Sequence, residues 1–278
     1  AGTYSSTGTA VSMITVTSTE ILVWITSLLW PLTRILGLIA VAPLFSNRSI
    51  PARIRVGLGV MLAMIVAPTL TNLPVVDPVS LAGILLLGQQ FIIGLAMGFA
   101  MRIVFAAVEM AGEMTGLTMG LGFATFFDPQ SQGRSSAVSQ FLALLALMIF
   151  LAANVHLVLL SVLVESFTSL PITTHAMPSG TAWLLVKSGG QIFNLGVQLA
   201  MPMVAALLMT NMALGILTRA APQLNIFGIG FPLTLTVGFV VIGLSLPYLA
   251  TPIERLLQDG IEIIRQIGTM PILPTGVT

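Results

Sequence analysis

At 278 residues, 56% hydrophobic and only 7% charged, the chain has too few charges to cover a water-exposed surface, for which roughly 25% is usual. A mean hydropathy of +1.05 and a net charge of +1 point to a membrane protein or a subunit buried among hydrophobic partners, with no basic patch for nucleic acid. Cysteine is absent, which excludes disulfides and thiolate chemistry, and the distant pair His156 and His175 offers no metal centre.

Residues 1–12 are small and polar, lie ahead of Met13 and read as a disordered, tag-like extension. The first apolar segment runs from about Ile21 to Phe45. Pro31 and Arg34 interrupt it and predict a bend, and Trp24 and Trp30 suit a membrane interface. Ser46 to Arg55 is the most basic stretch, with three arginines in ten residues, as expected of a cytoplasmic loop. The second segment covers about Ile54 to Leu73, and a Pro- and Asp-containing turn leads to the third, Leu81 to about Val108. There Gly94 and Gly98 form a GxxxG pair that permits close helix approach. Arg102, Glu109 and Glu113 lie near its end, and Glu109 and Glu113 share a helical face. They fit a buried structural ion pair or gating charges that relay an ion.

Glu109 to Arg134 is neither a good membrane helix nor an ordinary polar loop. Gly112, Gly116, Gly120 and Gly122 alternate with Met110, Met114 and Met119, and Phe123, Phe126 and Phe127 lead into Asp128-Pro129. Two readings fit: a close-packed helix end followed by a turn, or a segment that fills a hole and can move out of it.

The fourth segment, about Ala137 to Val164, contains Asn154 and His156. The fifth, about Trp183 to Thr218, holds Gln191, Asn194, Gln198 and Pro202, and at about 36 residues exceeds the roughly 20 that cross a bilayer, so it is tilted, broken at Pro202 or extended outside. Arg219 to Gly230 forms a short loop before the sixth segment, about Phe231 to Ala250. A tail from Pro252 to Ile267 is amphipathic, with Leu256, Leu257, Ile261, Ile264 and Ile267 on one side. The fold class is therefore all-α and membrane-associated, with about six partly kinked helices. Charge asymmetry puts the arginine-bearing loops in the cytoplasm and both termini outside. No phosphate-binding glycine loop, HExxH or GxSxG motif is present, so neither an enzyme nor a cofactor is expected.

Three blocks in order, Arg34 to Leu58, Ala111 to Pro129 and Leu214 to Leu233, resemble the FliR family of flagellar type III secretion export-gate subunits, and the likeness extends from about Ile21 to Gln266. The resemblance implies a FliP-like part over residues 13–182 with an internal plug at about 112–133, then a FliQ-like hairpin and amphipathic tail over 183–278. It implies assembly of one copy with several FliP and FliQ chains in the inner membrane and flagellar basal body, much of it on the periplasmic side. Further partners implied are FlhB, FlhA, unfolded flagellar export substrates and membrane lipid. By the same likeness Gly120, Gly122, Phe123, Phe126 and Phe127 plug the pore beside a methionine ring from FliP. Arg219, Gln223 and Asn225 belong to a cytoplasmic loop near FlhB. The alternative is a secondary transporter or proton-conducting subunit using Arg102, Glu109 and Glu113. The halves of the chain show no matching repeats of the kind common in transporters.

Overall fold

The structure, a computed structural model, describes residues 18–46, 49–70, 73–74, 76–123, 136–173, 180–221, 228 and 230–269. Every regular element among them is helical: α1 Ser18–Val41, α2 Ala52–Val66 with a 3₁₀ turn Ala67–Thr69, α3 Leu81–Thr118 with a 3₁₀ turn Leu121–Phe123, α4 Ala137–Ala152, α5 Val155–Ser169, α6 Gly180–Ala220 and α7 Phe231–Thr269. Among the described residues five helices are long and apolar enough to cross a membrane, six spans if α4 and α5 count as one bent span.

α3 is the axis of the bundle and packs against α1, α4, α6 and α7. Half of its 38 residues are buried, against 8 of 41 in α6 and 12 of 39 in α7. It begins at Ser80, whose hydroxyl accepts the Gly83 N–H at 3.1 Å and satisfies one of the donors that a helix start leaves open. The GxxxG pair does what its spacing predicts. A Cβ on Gly94 would strike the carbonyl oxygen of Arg34, and one on Gly98 would lie 2.8 Å from that of Leu38, so α1 and α3 meet backbone to backbone. Gly37 of α1 completes the contact, its missing Cβ facing the Phe91 carbonyl at 2.5 Å.

Several boundaries differ from expectation. α3 runs ten residues past Val108, so Gly112 to Thr118, the start of the expected plug segment, are helical. The fourth segment is two helices bent by 68°. The bend falls at Asn154, whose φ of 55° and ψ of 21° place it in the left-handed region that asparagine tolerates better than most residues. α6 is one helix of 41 residues with Pro202 inside it, and the sixth segment and the tail form one helix of 39 residues through Pro247 and Pro252. At 1.5 Å per residue these two are about 60 Å long, twice a hydrocarbon core of roughly 30 Å. The tail's amphipathicity holds: Leu256, Leu257, Ile261, Ile264 and Ile267 are buried, while Glu254, Arg255, Asp259, Glu262 and Arg265 are exposed.

Trp24 is exposed, but Trp30 is fully buried and belongs to the core rather than to an interface. Arg34 interrupts nothing. It is also fully buried, and its guanidinium ties three elements together. Nε donates to Gln90 Oε1 of α3 at 2.9 Å, and Nη2 donates to the same oxygen. Nη1 donates to the Ser166 carbonyl at 2.8 Å and to its hydroxyl at 3.1 Å, and Nη2 reaches the Leu170 carbonyl at 2.9 Å. The Phe167 ring lies 4.4 Å below the guanidinium carbon, a cation–π contact. Among the described residues no carboxylate takes part.

Candidate functional site

The glycine–methionine stretch is positioned by the C-terminal half of α3, and its polar groups are engaged one by one. Arg102 and Glu109, two helical turns apart, form a bidentate pair: Nη1 to Oε1 at 3.1 Å and Nη2 to Oε2 at 3.0 Å. The side chains are 43% and 30% exposed, so this is a half-exposed pair and not the buried one the sequence suggested. Glu113 faces elsewhere. Its Oε2 accepts the backbone N–H of Ser136 at 3.0 Å, at the N-cap of α4. A carboxylate there satisfies a free donor and complements the positive end of the helix dipole. Ser136 caps α4 by accepting the Ser139 N–H at 3.1 Å, and the Ser139 hydroxyl donates to the Glu109 carbonyl at 2.8 Å.

Small residues let these helices close. A Cβ on Gly112 would collide with the backbone of Ser139, and one on Gly116 would lie 2.9 Å from the Ser136 hydroxyl. The two ends of the connection between α3 and α4 are thus bolted together at their base.

The methionines are knobs in glycine notches. Met110 packs into the gap at Gly196 of α6, where an added Cβ would stand 2.9 Å from its Cγ. Met119, fully buried, fills the gap at Gly238 of α7, with its Cε, Cγ and Sδ all within 2.8 Å of where a Cβ would be. Asn211 Nδ2 of α6 donates to the Thr118 carbonyl at 3.2 Å and covers one of the open acceptors at the end of α3. α3 stops at Gly120, whose φ of 87° is the left-handed conformation that glycine adopts without strain. Its N–H returns to the Leu117 carbonyl at 3.0 Å.

Among the other site residues expected from sequence, Gly122 is half-buried in the 3₁₀ turn that Phe123 closes. Phe126, Phe127, Gln223 and Asn225 lie outside the described residues. Arg219 is exposed in the last turn of α6. Gln198 donates to Asn194 at 2.9 Å within α6 rather than across to a neighbouring helix. The His156 ring lies 6.2 Å from that of Phe150 between centroids, and its Nδ1 has no hydrogen-bond partner among the described residues. Sequence reasoning missed Arg34, Gln90 and Ser166, and it missed the notches at Gly196 and Gly238. Among the described residues no group of His, Asp and Glu could hold a metal ion.

Membrane-length helices fastened by small-residue contacts, with the charges of α3 paired within the helix or bonded at the start of α4, define an all-helical membrane protein. Residues 25–260 match the profile of the bacterial export proteins, family 1, and the chain belongs to that family. It is 44% identical over 264 residues to flagellar biosynthetic protein FliR of Escherichia coli strain K12, across 94% of this chain and 100% of that protein. It is 43% identical over 257 residues to the same-named protein of Pectobacterium carotovorum subsp. carotovorum, across 92% and 98%. Against that of Bacillus subtilis strain 168 identity is 30% over 238 residues, across 84% and 91%. The resemblance to the FliR family read from the sequence is thereby borne out.

Proposed function

We propose that the chain is a channel-forming, non-catalytic subunit of the flagellar type III secretion export gate, present in one copy with several FliP and FliQ chains in the bacterial inner membrane. The observation that carries the reading is the near full-length similarity to proteins named flagellar biosynthetic protein FliR, at 43–44% identity in two of them. The exposed apolar faces of α6 and α7, with Trp183, Phe193, Met209 and Phe239 all more than half exposed, suit burial against such sister subunits and lipid.

In this reading Gly120, Gly122, Phe123, Phe126 and Phe127 form the plug. Phenylalanine excludes water and ions by bulk and dewetting. The bolted base at Gly112, Gly116, Glu113 and Ser136 fixes where the connection leaves and rejoins the bundle, which suits a seal that yields only at its tip. The proton-relay alternative needs Arg102, Glu109 and Glu113 to be available. Each is engaged in a hydrogen bond that fastens helices or turns, which favours the structural reading. FlhB at the Arg219–Gly230 loop, FlhA and unfolded flagellar proteins are the further partners this reading entails.

The test pairs two measurements. Alanine at Phe126 and Phe127, or deletion of residues 120–127, is expected to raise ion conductance through the closed gate while FliP and FliQ still co-purify. Unchanged conductance in an assembled complex removes the plug assignment, and a stable solute-binding monomer removes the gate assignment.

A further inference from the structure

α6 and α7 pack side by side but do not close along their whole length. Between them lies a groove of about 720 Å³, within the range of pockets that bury a small amphiphile. Leu199, Pro202, Val241 and Leu244 line its length, and Arg255 and Asp259 line its end towards the C-terminus of α7. The groove therefore runs from the uncharged part of α7 into its amphipathic part. Tyr248, 79% exposed, stands on the rim between the two, the position at which tyrosines mark a membrane–water boundary.

The end of the groove carries opposite charges that do not neutralise each other. Arg255 and Asp259 are four residues apart on one helix, with the cation N-terminal to the anion, the less favourable order for such a pair. Neither makes an ion pair or side-chain hydrogen bond with another described residue, and both are exposed. The walls add unspent acceptors. Pro202 and Pro252 have no N–H, so the carbonyls of Gln198 and Tyr248, four residues earlier, lose their helical donor, and both residues line the groove. The complement to this surface has an apolar chain, an anion for Arg255, and a cation with several N–H donors for Asp259 and the Gln198 carbonyl. A quaternary ammonium has no such donors, and a purely anionic headgroup leaves Asp259 facing a like charge.

We propose that the α6–α7 groove is a binding site for a phospholipid with a primary-ammonium headgroup, phosphatidylethanolamine. One acyl chain lies along Leu199, Val241 and Leu244, the phosphate sits on Arg255, and the ammonium faces Asp259 and the Gln198 carbonyl. The site is independent of the export-gate reading and requires only that the hairpin meets a bilayer.

The experiment uses the full chain in its native complex, exchanged into mild detergent with phosphatidylethanolamine, phosphatidylcholine and phosphatidylglycerol of identical acyl chains, and read by native mass spectrometry. The wild-type protein is expected to retain phosphatidylethanolamine about fivefold over phosphatidylcholine, the scale of one half-screened charge contact. Asp259→Asn, an exposed change, is expected to bring that ratio to about one, and Arg255→Gln to weaken retention of every phospholipid. Leu199→Trp, which fills the groove, is expected to abolish retention in a complex of unchanged composition. Equal retention of the three lipids by the wild type overturns the proposal. So does a preference that survives Asp259→Asn, or a cross-link from Leu244 that captures a helix of another subunit in the groove.

Discussion

Arg34 of α1 grips Oε1 of Gln90 in α3 with two of its nitrogens, and both side chains are fully buried. A buried cation normally finds a carboxylate; this one is satisfied by an amide, a hydroxyl, two carbonyls and an aromatic face. The dispersal of its charge over neutral acceptors avoids burying a second ion, whose desolvation would add to the cost. Arg34→Met is expected to lower the midpoint of thermal unfolding of the detergent-purified protein sharply, because each buried acceptor left without a donor costs about 1–3 kcal/mol. Arg34→Lys is expected to rescue little, since one ammonium cannot span the fork of acceptors. Arg34→Met combined with Gln90→Leu is expected to cost less than the sum of the two, and strict additivity would show that the pair is not coupled.

Two glycines on α3 separate packing from propensity. Gly94 touches the α1 backbone, and Gly88 faces open space. Gly94→Ala is expected to force α1 and α3 apart and destabilise by about 1–3 kcal/mol, the usual range for overpacking. Gly88→Ala is expected to stabilise by about 0.5–1 kcal/mol through helix propensity alone. Parallel unfolding midpoints for the two variants would contradict the backbone contact.

Glu113 is a fastener at the start of α4. Glu113→Gln keeps an acceptor for the Ser136 N–H and is expected to leave secretion close to wild type in a motility assay. Glu113→Ala strands that N–H and is expected to loosen the base of the connection, with a measurable rise in ion leak. A severe secretion defect in the glutamine variant of a normally assembled complex would assign the carboxylate an electrostatic task instead.

Met119 and Gly238 are knob and notch. Gly238→Leu is expected to destabilise strongly because Met119 already occupies the space. Adding Met119→Ala is expected to recover between 0.5 and roughly 3 kcal/mol of that loss, the range of coupling between residues in contact. The unfolding midpoints of the two single variants and the double variant measure it.

Much of the bundle is legible in the sequence because its driving force is local. Long apolar runs give the helices, the GxxxG spacing gives a close helix contact without naming its partner, and the period of Leu256 to Ile267 gives the buried face of α7. What escapes is non-local. Arg34 reads as an interruption because its partners lie 56, 132 and 136 residues away. The end of α3 reads two ways, as a close-packed helix end or as a segment that can move, because its glycines lower the helical signal; those glycines are where α4 docks, and the carboxylates beside them are already bonded. Pro202 and Pro252 suggest breaks that do not occur; each helix runs on without the one hydrogen bond its proline cannot donate. Asn154 carried the opposite signal, a polar residue tolerant of left-handed backbone inside an apolar run, and it marks the bend.

The Arg34 network also sets an order of events during synthesis. An arginine at the centre of a helix entering a bilayer opposes insertion by roughly 2.5–3.5 kcal/mol, about what half a dozen leucines or isoleucines return. Its first acceptor, Gln90, is translated 56 residues later, and the Ser166 and Leu170 carbonyls 132 and 136 residues later. α1 is therefore among the last helices to be secured although it is made before its partners, and until α5 is made it depends on lipid headgroups, water or the insertion machinery to shelter its charge.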